Sequence, residues 1–333
     1  MILHWIRAIL VLAATGLRVV LDTDLGDDID DTWALSALLQ TPTVELRLVV
    51  ADSFGAWSHA CAVAKFLRLA GRSSQVPELA IGPQRVGRTV METWATAQDL
   101  KAFPGQVRSD APQAIIEQVQ AAARDDVPLQ ILVLSPSFAL AAALREAPWI
   151  AQKAQITAMG GSLWHGTNGT GPPLAEWSVK ADVASSLEVY PHVSRLCPLD
   201  VAGTAQIDGA EFQELLNCQG QVPVVKALLE MYWAWLPRCP WRSPLDGPKG
   251  PADHARSSVI YDLAAATMLP VYSSEFMELR EVNLTIDSQG FTHPDGRGGW
   301  PMVAGVSWRR QMEWEKTVVQ LLCTRGAAAK VIL

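Results

Sequence analysis

The chain has 333 residues, of which 49% are hydrophobic and 18% are charged. This composition allows a sizeable buried core and excludes a largely disordered protein. Lys and Arg total 27 against 34 Asp and Glu, which gives a formal net charge of −7 at pH 7. Because the chain is acidic and has no basic run, we predict that it does not bind nucleic acid.

The N-terminal segment, residues 1–16, has two interpretations. A cation at Arg7 precedes an apolar run over residues 8–14 and then small residues, a pattern that resembles a short signal peptide. The interpretation that we favour is an extension that packs as a first strand or helix. The apolar run is too short to cross a bilayer, so we predict no membrane partner. The location stays open between the cytoplasm, which we favour, and secretion.

Strands and helices alternate along the first half of the chain. Short apolar or β-branched runs predict strands, and longer segments with helical signals predict the helices between them. The strands are expected at residues 18–21, 46–50, 79–81, 129–134 and 156–159, and the helices at 32–39, 61–70, 112–123 and 138–145. This order predicts an α/β fold with a mostly parallel sheet and helices on both faces. In such folds the ligand binds beyond the carboxyl ends of the strands.

Two segments lack this alternation. Residues 85–110 are irregular, and residues 238–253 are rich in Pro, Gly and charge. The second segment is too long for an ordinary connection in a compact domain, so we interpret it as a loop over the site.

The five cysteines do not form a recognisable motif. Their number is odd, and no two are spaced as C-x-x-C. A zinc site and a dense disulfide framework are therefore not expected, and free thiols in a reducing compartment are predicted.

An acidic loop follows the first predicted strand. It has six carboxylates in ten residues, at Asp22, Asp24, Asp27, Asp28, Asp30 and Asp31. Six like charges at this density repel each other, so the loop is expected to bind a cation. Oxygen ligands without His or Cys favour calcium or magnesium over zinc. Asp30 and Asp31 open the following helix, where the helix dipole favours negative charge.

The same loop allows a second interpretation. Phosphatases of the haloacid dehalogenase type use the first Asp of D-x-D-x-T/V as a nucleophile, and Asp22 and Asp24 fit the first part of that pattern. The fifth position is Gly26, so the match is partial.

The acidic loop resembles the N-terminal signature of the inosine–uridine-preferring nucleoside hydrolase family, D-x-D-x-G followed by D-D at a helix start. This chain has two more residues before the D-D pair than the shortest form. Further segments resemble the family in the same order, over about 17–308. They are residues 131–136, the M-G-G-S of 159–162, the A-E-W-S of 175–178 with Asp182, the P-L-D of 198–200, the segment 257–262, and a hairpin over 282–291 with Gly290 at its turn.

The resemblance implies a Rossmann-like nucleoside hydrolase domain over residues 17–326 and a role in purine or pyrimidine salvage. The implied reaction is calcium-dependent hydrolysis of a ribonucleoside to ribose and free base, by a homodimer or homotetramer. The resemblance implies that Ca²⁺ is bound by Asp24, Asp31, Asp262 and the Leu134 carbonyl. It implies that Asp24 is also the general base and that Tyr261 assists the leaving base. The residues implied to contact the nucleoside are Asp30, Asn168, Glu176, Trp177 and Ser178.

Some positions depart from the family pattern. Ser178 stands where the family usually has Asn, and Tyr261 stands where several members have a His that protonates the base. Residues 137–139 replace the usual L-T-N. These departures leave open a second hypothesis, a member that binds a nucleoside or a metal without turnover.

Overall fold

The computed structural model of this chain describes residues 16–243, 246–247 and 255–325. Residues 1–15 lie outside that range, so neither interpretation of the N-terminal segment is tested. Within the described ranges, no helix is long and apolar enough to cross a membrane.

A ten-stranded sheet forms the centre of the molecule. Its order is β4-β3-β2-β1-β5-β6-β7-β10-β8-β9. Every pairing from β4 to β10 is parallel, whereas β8 is antiparallel to both β10 and β9. The strands are β1 (Leu17–Thr23), β2 (Val44–Ala51), β3 (Glu78–Ile81), β4 (Gln106–Arg108), β5 (Leu129–Val133), β6 (Ala154–Met159), β7 (Val193–Cys197), β8 (Met277–Ile286), β9 (Thr292–His293) and β10 (Trp300–Trp308).

Helices cover both faces of the sheet. They are α1 (Asp30–Gln40), α2 (Ala56–Leu69), α3 (Ala97–Lys101), α4 (Ala111–Arg124), α5 (Phe138–Glu146), α6 (Ile150–Lys153), α7 (Trp177–Ala181), α8 (Val183–Val189), α9 (Leu199–Ala202), α10 (Gly209–Cys218), α11 (Pro223–Trp235), α12 (Tyr261–Ala266) and α13 (Gln311–Cys323). Successive residues of β1 pack into different hydrophobic cores. Val19 and Leu21 pack with α1, α2 and α11, whereas Val20 packs with α4 and α5. This double burial explains the continuous apolar strands.

All nine elements predicted in the first half of the chain are present, with bounds shifted by up to five residues. The predicted hairpin is confirmed as β8 and β9, with Gly290 in its turn at a φ of 85°. The irregular interpretation of residues 85–110 was incomplete, because α3 and the edge strand β4 lie there. Both are too short, at five and three residues, to show a period in the sequence.

The prediction of free thiols was wrong for two cysteines. Cys218, at the end of α10, forms a disulfide with Cys323, at the end of α13. These residues are 105 positions apart, and packing of α10 on α13 brings their Cα atoms to 5.8 Å. Cys61, Cys197 and Cys239 are free, as predicted, and their side chains are buried.

Candidate active site

A cleft of about 690 Å³ opens at the carboxyl ends of the central strands. The acidic loop follows β1, Leu134 follows β5, and Met159 ends β6. All three contribute to its lining, as expected for a parallel sheet. Nine of the ten residues predicted to form the site line this cleft: Asp24, Asp30, Asp31, Leu134, Glu176, Trp177, Ser178, Tyr261 and Asp262.

Three carboxylates of the cleft are arranged as a metal site. Asp30, Asp31 and Asp262 are buried, and each offers an oxygen within 4.8 Å of the others. We call them the carboxylate trio. Asp30 and Asp31 open α1, Asp262 lies in the first turn of α12, and those two helices pack together. Such hard oxygen donors suit Ca²⁺ or Mg²⁺, so the trio could bind a metal.

The electrostatics of the trio also indicate a cation as its ligand. Burial raises the pKa of each carboxyl of the trio well above its usual range, and repulsion from neighbouring carboxylates, which include Asp24 and Asp28, raises it further. The Thr23 hydroxyl donates to Asp31, which lowers the pKa of that carboxyl only partly. A bound cation would reverse this repulsion and favour the ionised forms.

Asp24 lies in the cleft beside the trio but is not part of it. Its side chain is 7% exposed, and its charge acts on Asp30, Asp31 and Asp262. Burial, followed by repulsion from Asp27, raises the pKa of Asp24 well above its usual value. The predicted ligand set of Asp24, Asp31 and Asp262 therefore differs from the carboxylate trio found among the described residues, where Asp30 takes the place of Asp24.

Glu176 is buried at the start of α7 and held by backbone donors. Its carboxylate accepts hydrogen bonds from the amides of Ser178 at 2.9 Å, Gly161 at 3.1 Å and Val179 at 3.2 Å. These bonds fix the carboxylate at the cleft wall and partly offset the burial that raises its pKa. The next residue, Trp177, is 56% exposed and presents its ring to the cleft.

Tyr261 precedes Asp262 and also lines the cleft. Burial raises the pKa of its hydroxyl far above the usual value, and the charges of Asp28, Asp30 and Glu176 raise it further. The hydroxyl therefore keeps its proton at neutral pH. It can donate a hydrogen bond, but it is a weak acid.

Asn168 is the predicted site residue that does not line the cleft. It lies exposed in a short turn, with a φ of 66°, and the preceding residue Thr167 contacts the cleft instead. The left-handed backbone of this turn directs consecutive side chains differently from an extended loop, and no periodic pattern in this segment indicates that conformation.

Other residues of the site were missed by sequence reasoning. Pro240 and Trp241 line the cleft, as do residues 88–90. Trp241 donates its indole N–H to Asp28 Oδ2 at 3.2 Å, and the Val90 amide donates to Asp27 Oδ1 at 3.2 Å. The interpretation of 238–253 as a loop over the site is thus supported for its described part. The sequence indicated only that this loop lies over the site, and not which of its residues line the cleft.

The loops behind the cleft are held by buried polar side chains. Asp200 accepts hydrogen bonds from the amides of Leu163, Trp164 and His165, at 2.8 to 2.9 Å. The Thr292 hydroxyl accepts from the Ser162 amide and donates to the Ser162 carbonyl. The C-terminal hairpin therefore clamps the M-G-G-S turn.

Asp22 does not fit the phosphatase interpretation. Its side chain is fully buried, accepts a hydrogen bond from Ser135 and does not line the cleft. A nucleophile must reach its substrate, so this alternative is wrong for the geometry observed.

A family model described as inosine-uridine preferring nucleoside hydrolase matches residues 19–320. An inosine-guanosine nucleoside hydrolase superposes with a TM-score of 0.69 at 17% identity, covering 94% of this chain and 100% of that one. An inosine-uridine preferring nucleoside hydrolase from Bacillus anthracis gives 0.66 at 18% identity, covering 92% and 99%. The type III effector protein XopQ, solved with adenosine diphosphate ribose, gives 0.64 at 17% identity, covering 95% and 98%. No curated protein matches the chain in sequence.

Proposed function

This chain belongs to the inosine-uridine preferring nucleoside hydrolase family, and from that premise we propose that it hydrolyses the N-glycosidic bond of a ribonucleoside, releasing ribose and free base. The observation that carries this proposal is the buried carboxylate trio at the carboxyl ends of a parallel sheet, within a cleft large enough for a nucleoside. A mostly parallel α/β sheet alone hosts many activities, so the argument rests on the site.

We further propose that the resident metal is calcium. Asp30, Asp31 and Asp262 would hold it, with Asp24 and the Leu134 carbonyl as the further ligands that a calcium ion of six to eight ligands requires. When bound, the ion supplies a water of lowered pKa, a grip on the ribose diol and compensation for the repelling carboxylates.

Asp24 is the proposed general base. Water attacks the anomeric carbon, and its proton passes to the Asp24 carboxylate. The bond from that carbon to the base nitrogen breaks with its electron pair staying on the base, which accepts a hydrogen bond from the Tyr261 hydroxyl and is protonated as it leaves. Asp24 suits this role because it faces the cleft and lies close enough to the trio to repel Asp31. Its burial raises its affinity for a proton, which favours acceptance during attack.

The sugar is proposed to lie among Asp30, Glu176 and Ser178. Glu176 is fixed by three backbone amides, so it can accept a ribose hydroxyl without reorganising. The concentration of negative charge around the anomeric carbon favours a transition state with oxocarbenium character. Trp177 offers an exposed aromatic face for the base, and Tyr261 offers a hydroxyl donor.

A second candidate function is nucleoside binding without turnover. Two observations favour it: Ser178 lines the cleft where the family usually has Asn, and Asn168 does not line the cleft. The experiment that separates the two functions measures ribose release and nucleoside binding on the same calcium-loaded protein, with inosine and uridine. Ribose release supports the hydrolase, and saturable binding without ribose release supports the binding protein.

A further inference from the structure

The turn over Thr167–Gly169 begins a sequence pattern that the function proposed above does not use. Residues 168–170 read Asn-Gly-Thr, which is the acceptor pattern for an N-linked glycan, and we call it the turn sequon. Both Asn168 and Thr170 are exposed, and neither side chain has a hydrogen-bond partner among the described residues. The two groups that an N-glycosylating enzyme must recognise are therefore accessible from solvent.

The backbone of this turn holds the sequon at the surface. Asn168 and Gly169 both have left-handed backbones, with φ of 66° and 64°, a conformation that these two residue types tolerate best. A Cβ atom on Gly169 would lie 2.8 Å from the Thr204 Cγ2 atom, so only glycine fits there. The Gly166 amide donates to the Thr170 carbonyl at 3.2 Å and closes the turn. The turn is therefore packed against the molecule at Gly169, while Asn168 beside it stays exposed.

The demands of the turn account for the first two positions of the sequon and not for the third. Thr170 follows the turn with an ordinary extended backbone, at a φ of −136°, which any residue can adopt. Its exposed hydroxyl bonds to no described residue, so it supports neither the turn nor the core. The hydroxyl at this position is what the acceptor pattern requires.

The disulfide between Cys218 and Cys323 is an independent observation that favours the same modification. Disulfides form and persist in oxidising environments such as the secretory pathway and are rare in the cytosol. The charge at Arg7 and the apolar run over residues 8–14 fit a signal peptide, the second interpretation of the N-terminal segment. N-linked glycans are added to proteins of that pathway.

We propose that Asn168 is an N-glycosylation site and that the chain passes through an oxidising secretory compartment. The donor is an oligosaccharide linked to a lipid diphosphate. The Asn168 Nδ2 atom forms a bond to the anomeric carbon of the first sugar and loses one proton. The bond from that carbon to the phosphate oxygen breaks, and its electron pair leaves with the lipid diphosphate.

The position of the glycan leaves the cleft open. Thr167 lines the cleft, whereas Asn168 does not. A glycan on Asn168 therefore extends into solvent from the rim of the cleft and does not fill it. The proposal does not depend on which reaction the cleft performs.

A second sequon, Asn283-Leu284-Thr285, offers an internal comparison. It lies within β8, where Asn283 pairs with Pro301 of β10 and Leu284 is fully buried. The backbone of this sequon is held in the sheet, so it cannot form the turn in which the first sequon is presented. We expect the glycan at Asn168 and not at Asn283.

The test expresses the full chain, with its own N-terminus, in a eukaryotic cell and recovers the protein from the medium and from the cells. Peptide N-glycosidase in water enriched in heavy oxygen converts a glycosylated Asn into a labelled aspartate, which mass spectrometry locates. We expect the label at Asn168 and an intact disulfide between Cys218 and Cys323 in the same molecules. Thr170→Val should abolish the label, and Thr170→Ser, which keeps the hydroxyl, should retain it.

The controls separate glycosylation from spontaneous deamidation, because an Asn followed by Gly loses ammonia readily. Thr170→Val keeps Asn168 and Gly169 and therefore keeps that reaction, so a label that persists in this variant would overturn the proposal. Asn217, which is exposed and outside any sequon, should stay unlabelled. Protein with the disulfide but no label at Asn168, a label at Asn283 alone, or protein that stays inside the cell with both cysteines reduced would each contradict the proposal.

Discussion

Asp24 is the residue on which turnover depends most directly in this account. It is buried at the end of β1, faces the cleft and repels the trio carboxylates. Asp24→Asn keeps an oxygen that can face a metal but cannot accept the proton of the attacking water. We expect kcat to fall by about 10²–10⁴-fold, with little change in nucleoside affinity, measured by steady-state kinetics and calorimetry. A variant with near-normal kcat would show that another group is the base.

Ser178 is a departure from the family pattern that lines the cleft next to Glu176. Its amide is committed to Glu176, but its side chain lines the cleft. Ser178→Asn adds a second polar atom that can reach a ribose hydroxyl, and one hydrogen bond is worth roughly 0.5–1.5 kcal/mol. Apparent nucleoside affinity should therefore tighten by about threefold to tenfold. Loss of activity would instead indicate a pocket rebuilt around the serine.

Individual site residues were predictable where the sequence concentrates charge or repeats a motif. The acidic loop indicated a cation site because its carboxylates are adjacent in the chain, and the A-E-W-S motif indicated Glu176. Trp241 was not predictable as a partner of Asp28, because the two are 213 residues apart and only the fold brings them together. The same holds for the Val90 amide, whose backbone donor has no sequence signature.

At the scale of single elements, α2 is joined to the acidic loop through His59. This imidazole is buried, with Nδ1 at 3.0 Å from the Leu25 carbonyl and Nε2 at 2.9 Å from the Phe54 carbonyl. Burial lowers its pKa from 6.5 to about 4. The folded state therefore binds this proton less readily than the unfolded state does.

The sign of the pH dependence follows from that shift. The neutral imidazole contributes fully to the free energy of unfolding above pH 6.5. This contribution, about 3 kcal/mol at most, is lost as pH falls from about 6.5 to 4. Urea unfolding of the native protein and of His59→Asn across this range should show a difference that shrinks as pH falls. A constant difference would mean that His59 does not titrate in this window.

The C-terminal hairpin is predicted to support the site through one side chain. Thr292 is buried and bonds both the amide and the carbonyl of Ser162. Thr292→Val keeps the shape and removes both bonds, so the free energy of unfolding should fall by about 1–3 kcal/mol. Thr317→Val, which removes one exposed hydroxyl bond within α13, is the matched control. Equal, small effects of both variants would show that the clamp does not stabilise the fold.

Elements were predictable where they are long and periodic or wholly apolar. Strand β5 and helix α4 fit their predicted positions because burial dictates their composition. The three residues of the edge strand β4 are exposed or half-buried. Its sequence therefore shows no apolar pattern that would predict a strand. The disulfide between α10 and α13 was missed because pairing depends on helix packing, which cysteine spacing does not encode.

For the whole molecule, a bound ion should act as a stabiliser because it relieves repulsion among buried carboxylates. Binding to the folded state alone adds about 2.7 kcal/mol when calcium is at 100 times its Kd. We expect calcium to raise Tm of the chelated protein and Asp262→Ala to abolish that shift, measured by calorimetry. Asp125→Ala, at an exposed position, should keep the shift. A calcium effect retained in Asp262→Ala would place the ion elsewhere.

The architecture as a whole followed from the alternation of strands and helices, which predicts a parallel sheet and puts ligands at the carboxyl ends of its strands. The first half of the chain showed that alternation clearly. The order of β7, β10 and β8 was not predictable, because the strands that end the sheet are separated by α9 to α12 and pair by tertiary contact. The cleft therefore lies at the strand ends where the alternation predicts a ligand site, whereas the individual residues of its rim were not predictable.

Hydrolysis that depends on a metal at the carboxylate trio is the central claim. The most direct measurement is ribose release by protein freed of metal with a chelator and then titrated with calcium, using inosine and uridine. The account predicts no release without metal, saturable recovery as calcium is added, and no recovery in Asp262→Ala. Ribose release that persists without metal, or no release from either nucleoside at saturating calcium, would contradict it.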